Sequence, residues 1–207
     1  MRFFSRLVPV ACALGALASP PGGVAAFAQE YHVDLSADRT VRFISRASIE
    51  EFEGVTDRID GYVRLDGPTL SVDAGGDDTE LYLEVDLASI DTGIGLRNRH
   101  MRDNYLEVEQ YPYATYQGSI VSVSASSGGG FRVTSRGDMT IHGVTRPMEI
   151  PCDVTPSGSG YRTQCSFQVL LTDHAIDIPR IMFLKLANEI RLELDFAMAP
   201  AGNGDVQ

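Results

Sequence analysis

The chain has 207 residues, a formal charge of −11, three cysteines and no tryptophan. So acidic a surface argues against a nucleic-acid partner, whose phosphates it would repel. Beyond a short N-terminal run, no segment approaches the roughly 20 consecutive apolar residues that a membrane-spanning helix requires.

The first 28 residues stand apart. Arg2 and Arg6 open them, Leu7 to Ala18 is an apolar run, and Pro20 to Gly23 breaks it before Ala26-Phe27-Ala28, a small-x-small pattern. This reads as a secretory signal over residues 1–28, cleaved after Ala28, so the mature chain is expected to be exported. Pro9 falls where a lipoprotein box wants leucine, so Cys12 is not expected to carry a lipid anchor. The mature chain is one domain's length, 29–198, with 199–207 expected as a loose tail.

Half-buried strands alternate apolar and polar residues, because successive side chains point to opposite faces. Thr40 to Ser45 is the first such stretch. In Arg58 to Asp66, Ile59, Val63 and Leu65 face one way. Glu80 to Leu87 is the clearest case, with Leu81, Leu83, Val85 and Leu87 alternating with Glu80, Tyr82, Glu84 and Asp86. Ala114 to Val123 and Phe131 to Ile141 follow, joined by a Ser/Gly turn at residues 124–130. The last stretch, Glu189 to Ala197, turns Ile190, Leu192, Leu194 and Phe196 inward. Seven or eight strands at this spacing predict an all-β barrel or sandwich, and barrels of about eight strands can hold a ligand in the lumen.

One hairpin register follows from arithmetic. A turn centred in Ser157-Gly158-Ser159-Gly160 places Cys152 opposite Cys165, Ile150 opposite Phe167 and Met148 opposite Val169, all on one face. The exported compartment permits disulfides, so Cys152–Cys165 is predicted as a cross-strand bridge, contributing about 3 kcal/mol by the chain-entropy model.

The stretch from Ser89 to Pro112 breaks the alternation. Leu96, His100 and Asn104 recur every four residues, Thr92 stands where a helix N-cap belongs, and Arg99 and Asp103 are spaced to pair along a helix. A short basic helix interrupting a run of strands is a lid or mouth for whatever the strands enclose.

No catalytic constellation emerges. There is no G-x-S-x-G elbow, no C-x-x-C and no glycine-rich phosphate cradle before a helix. His32, His100, His142 and His174 are scattered, with no pair at i, i+3 or i, i+4 for a metal. No metal or other cofactor is expected. Interest therefore falls on the interior. If the strands line a cavity, its wall comprises Phe43, Leu81, Leu83, Val85, Tyr116, Ile150, Phe167, Val169 and Leu192, and a long apolar ligand would be held at about 25 cal/mol per Å² removed from water. A filled core fits the same residues. Arg97, Arg99, His100 and Arg102 suit an anionic head group, although pairing with Asp103, Glu107 or Glu109 would also account for the arginines.

Several of these residues fall in specific motifs: Asp91-Thr92-Gly93, Arg97-Asn98-x-His100-Met101, Tyr105-Leu106, Tyr111-Pro112 and Ala114-Thr115-Tyr116. A second block runs from Gly137 to Pro147, GDMTIHGVTRP, and Tyr31-x-Val33-Asp34, Gly54 and Gly61 complete the pattern. Together they resemble the YceI-like family of exported lipocalin-like barrels that bind polyisoprenoids or other long-chain amphiphiles. Asn98 stands where the family usually has Asp, the His-Ser after the opening Asp is absent, and Arg46 lies near a missing histidine. The resemblance implies an extended antiparallel lipocalin-like β-barrel with a short helix near one end, an apolar tunnel and no chemical reaction. The expected ligand is an isoprenoid or other long-chain lipid, with a homodimer as a compatible assembly. The rival readings are a stress-induced partner protein with a filled core and a hydrolase or isomerase acting on a lipid.

Overall fold

In the computed structural model, which describes residues 28–47, 51–72, 75–76, 78–178, 180–181 and 184–202, every stretch read as alternating is a strand. The strands are β1 (Gln29–Val33), β2 (Thr40–Ala47), β3 (Glu51–Thr56), β4 (Ile59–Leu65) and β5 (Glu80–Asp86). After helix α1 (Gly95–Asn104) come β6 (Tyr113–Ala125), β7 (Phe131–Ile141), β8 (Val144–Ser157), β9 (Gly160–Leu170), β10 (Arg180–Ile181) and β11 (Leu184–Pro200). All but Ala28 of the segment read as a signal lies outside the described residues.

The strands form one antiparallel barrel of eight staves. β4 to β9 pair in sequence, β9 pairs β11, and β11 closes the ring on β1 and β2. Two staves are split. β1 and β2 lie end to end along the 17-residue β11, and their partners β4 and β3 do the same beside them. A closed ring leaves few strand edges to pair with other chains. Strand β11 runs past the expected boundary at residue 198, because Ala199 and Pro200 pair with His32 and Tyr31, and the Ala201 N–H donates to the Glu30 carbonyl. Residues 203–207 lie outside the described residues.

The predicted hairpin register holds from Cys152–Cys165 to Ser157–Gly160, and the two cysteines form a disulfide with Cα atoms 4.2 Å apart. Above it the ladder ends, so Ile150 and Phe167, and Met148 and Val169, are not ladder partners. Pro151 supplies the reason: the disulfide pair is of the close, non-hydrogen-bonded kind, so the next residue owes an N–H to β9, and proline has none. Replacing both cysteines with serine is expected to cost about 3 kcal/mol, read from the denaturant midpoint.

One end of the barrel is plugged. Leu70, in the segment between β4 and β5, is buried there with Tyr31, Leu65, Ile120, Val123 and Phe196. Its N–H donates to the Tyr161 hydroxyl at 2.9 Å, and the Tyr161 ring meets Tyr31 edge-on, with centroids 5.1 Å apart. Burial first, then the neighbouring Tyr161, push the Tyr31 hydroxyl up to about 12. At the opposite end lie α1 and the two-residue β7–β8 turn, where His142 and Gly143 both take positive φ, as a type I′ turn demands.

Candidate ligand-binding cavity

Between the plug and α1 the barrel is hollow. The cavity measures about 520 Å³, so the interior is not a filled core. The nine wall residues named from alternation all line it: Phe43 from β2, Leu81, Leu83 and Val85 from β5, Tyr116 from β6, Ile150 from β8, Phe167 and Val169 from β9, and Leu192 from β11. Their burial reports the void. Leu81, Tyr116, Ile150 and Val169 are buried, whereas Phe43, Leu83, Val85, Phe167 and Leu192 point inward yet are only half-buried, because on one side they face space and not another side chain.

The lining is apolar with a few hydroxyls and cations. The Tyr116 hydroxyl is within hydrogen-bond distance of the Ser135 Oγ (3.2 Å) and the Met148 carbonyl (3.3 Å), so this pair belongs to the wall. Burial pushes the Tyr116 hydroxyl above its ordinary pKa, with Ser135 opposing. His174 is 2% exposed and holds the Val144 carbonyl through Nδ1 at 2.9 Å. Among the described residues no carboxylate lines the cavity. Ser45, Ser135, His174, Met139 and the rim residues Ile94 and Met101 escaped the sequence reading, the last two because α1 and its N-cap lie outside the alternating stretches.

Helix α1 lies over the mouth without burying any of its own residues. Leu96, Arg97, His100 and Met101 face the cavity, while Leu96 and neighbouring Ile94 remain 65% and 53% exposed. Thr92 is not its N-cap: that position is Ile94, with no side-chain cap. Instead Thr92 donates through its N–H (2.8 Å) and hydroxyl (2.6 Å) to the Asn98 carbonyl oxygen, and the Asn98 amide donates to Asp91 at 2.7 Å. Asp91 in turn bridges to Val55 of β3, so this clasp ties α1 to the barrel.

The four basic residues separate. Arg97 donates to Thr92 and stacks over the Phe52 ring, 5.2 Å from its centroid, at the mouth. His100 also faces the mouth. Arg102 turns aside to the Ile90 carbonyl at 2.7 Å, and neither it nor the exposed Arg99 lines the cavity. Among the described residues several wall arginines pair with acids, as in Arg136–Glu149 and Arg132–Asp153, whereas Arg97, Arg99 and Arg102 form no ion pair, including the expected Arg99–Asp103.

Hydrogen bonds from the Asn98 amide and then the Gly93 N–H hold the Asp91 carboxyl below the usual carboxylate value. A depressed carboxyl stabilises the folded state above its unfolded pKa of about 3.9, and that contribution is lost as pH falls through the folded value. Asn98→Ala should therefore speed amide exchange in α1 about tenfold at neutral pH, an effect that shrinks on acidification as the wild-type clasp also loosens.

Among solved structures, Burkholderia cenocepacia BcnA superposes with a TM-score of 0.63 at 18% identity, over 80% of this chain and 98% of that one. A polyisoprenoid-binding domain from Saccharophagus degradans, implicated in plant cell wall breakdown, does so with a TM-score of 0.63 at 17% identity, over 83% and 98%. At these identities the likeness is one of fold. In sequence, a UPF0312 protein of Yersinia pestis (strain Pestoides F) is 27% identical over 156 residues, 72% of this chain and 74% of the relative. A UPF0312 protein of Vibrio parahaemolyticus is 29% identical over 83 residues, and that match spans only 42% of the relative's length. The family model described as the YceI-like domain matches residues 31–198, and the chain therefore belongs to the YceI-like family.

Proposed function

We propose that this protein is a non-catalytic carrier or sequestering protein of the periplasm that holds an isoprenoid or other long-chain amphiphilic lipid by its tail in the barrel lumen. The observation that carries the reading is the apolar cavity of about 520 Å³, plugged at one end and open beneath α1 at the other. A hydrocarbon tail in contact with Phe43, Leu81, Leu83, Val85, Tyr116, Ile150, Phe167, Val169 and Leu192 leaves water by area, and the plug at Tyr31, Leu70 and Tyr161 limits its length. Arg97 and His100, at the rim, are the head-group contacts. A polyisoprenoid-binding domain of the same fold supports the ligand class.

Binding is favoured over catalysis because, among the described residues, the lumen has no carboxylate to act with its hydroxyls, and the Tyr116–Ser135 pair is engaged in the wall. Native mass spectrometry of the freshly purified exported protein tests the proposal. The expected spectrum shows a lipid-sized adduct that leaves on collisional activation. A bare mass, joined by failure of long-chain fatty acids and isoprenoid alcohols to add to the protein, would refute it.

A further inference from the structure

We propose that the face formed by Ile94 and the first two turns of α1 docks on an anionic phospholipid bilayer, so that a lipid tail passes between membrane and lumen without crossing water. The docking itself goes beyond the lumen reading, and its purpose rests on that reading.

Two features coincide at the mouth. The first is apolar. Among the described residues, three exposed large hydrophobic side chains also line the cavity: Ile94, Leu96 and Leu170, at 53%, 65% and 38% exposure. Ile94 and Leu96 stand at the start of α1, and Leu170 ends β9 opposite Glu189, on the half of β11 away from the plug. Oily surface therefore runs from the lumen over the rim to the outside. A helix that served only to shut the lumen would turn these side chains in, because burying each of them is favourable.

The second feature is charge. From Gly95 to Arg102, α1 carries three arginines and no acid, in a chain whose 28 acidic residues outnumber its 17 lysines and arginines. The hydrogen bonds of Arg97 and Arg102 go to uncharged oxygens of Thr92 and Ile90, so they leave both charges uncompensated. Ile94 offers no side-chain cap, and the positive end of the helix dipole adds to the arginines. The acids of this stretch lie before or after those two turns. Asp91 is clasped by Asn98 and Gly93, Glu107 faces His142 at 3.6 Å, and Asp103 and Glu109 follow the last arginine.

The combination selects the occupant. Arginine forks suit phosphate oxygens, apolar side chains beside them suit the acyl boundary beneath the head groups, and an anionic bilayer presents both at one surface. A second copy docked mouth to mouth would set arginines against arginines. Three exposed apolar side chains also fall short of the roughly 800 Å² per partner that a standard protein interface buries. Reversible docking on a membrane needs less, since each apolar side chain and each cation contributes separately.

Flotation of the exported protein with vesicles tests this. At about 0.1 M salt a Debye length of about 10 Å lets the membrane feel the mouth and not the acidic far side of the barrel. Wild-type protein is expected to float with equimolar phosphatidylglycerol–phosphatidylcholine vesicles, and far less with phosphatidylcholine alone. Leu96→Ser should lower the partition coefficient about tenfold and Arg99→Gln about fivefold. Leu35→Ser, at a 56% exposed leucine between β1 and β2, should leave it unchanged. Arg99→Gln should also leave displacement of a lumen-bound naphthylamine dye by hexadecanol unchanged, since Arg99 does not line the cavity. Wild-type protein that ignores anionic vesicles, or both mouth variants partitioning like wild type, would overturn the docking face and leave the lumen reading standing. So would a dimer in analytical ultracentrifugation that Leu96→Ser dissolves, because the face would then be covered in solution. Failure of hexadecanol to displace the dye from wild-type protein, with flotation intact, would overturn the lumen reading and leave the docking face in place.

Discussion

Phe167→Asp is expected to abolish lipid retention. Phe167 stands on β9 beside Leu192 of β11, and both line the cavity. Among the described residues a carboxylate there has no cation to pair with, because the basic groups facing the lumen, apart from the buried imidazole of His174, sit at the rim on α1. It must either recruit water into the lumen or take up a proton, and both outcomes oppose a hydrocarbon tail. The expected loss of affinity is at least about a hundredfold, roughly 3 kcal/mol. The barrel should survive, because Phe167 is only half-buried and faces a void, so the aspartate is not forced into packed surroundings. Dye displacement and native mass spectrometry read the binding, and circular dichroism reads the fold. A folded variant that retains lipid at wild-type affinity would show that the tail lies elsewhere. Val85→Glu, across the lumen on β5, should behave in the same way.

Gly61→Val should have the largest effect on stability. Gly61 in β4 has φ +139°, a conformation that L side chains rarely adopt, and it pairs with Leu83 of β5. A Cβ there would collide with the Tyr82 carbonyl oxygen and lie 2.8 Å from the Leu83 Cα. Both are backbone atoms, so β4 and β5 must part for the side chain to fit. A loss of about 3 kcal/mol or more follows, or a melting temperature lower by roughly 6–12 °C for a domain of this size. Thermal melts of the two proteins decide the matter, and an unchanged transition would mean that the strand accommodates the side chain without strain. Gly54 differs in kind: a Cβ there would meet the Phe43 ring and Ile90, so that glycine makes room for a lumen aromatic.

Much of this molecule is local in origin and therefore legible along the chain. A period of two assigns each strand residue to a face whatever the neighbouring strand may be, and Leu81, Leu83 and Val85 could be placed inside from their own spacing. The Cys152–Cys165 register follows likewise from one short turn, since a hairpin's pairing is set within a few residues of its tip. Motifs such as Gly61 and the Gly137 to Pro147 block were visible as residues, while the reason for the glycine, a close approach of two backbones, was not.

What required the tertiary structure was distance across the barrel and direction around a helix. Alternation says which side chains turn inward, but whether they meet or leave a hollow depends on how many staves close the ring, and closure joins β1 to β11, the two ends of the chain. The plug depends on Leu70 folding back onto Tyr161, which lies 91 residues away. Likewise, α1 is polar on nearly every face, so its own periodicity could not say that Arg97 and His100 look into the mouth while Arg99 and Arg102 do not. The clasp of Asp91, Thr92 and Asn98 against β3 sets that rotation, and the order of residues along α1 carries no trace of it.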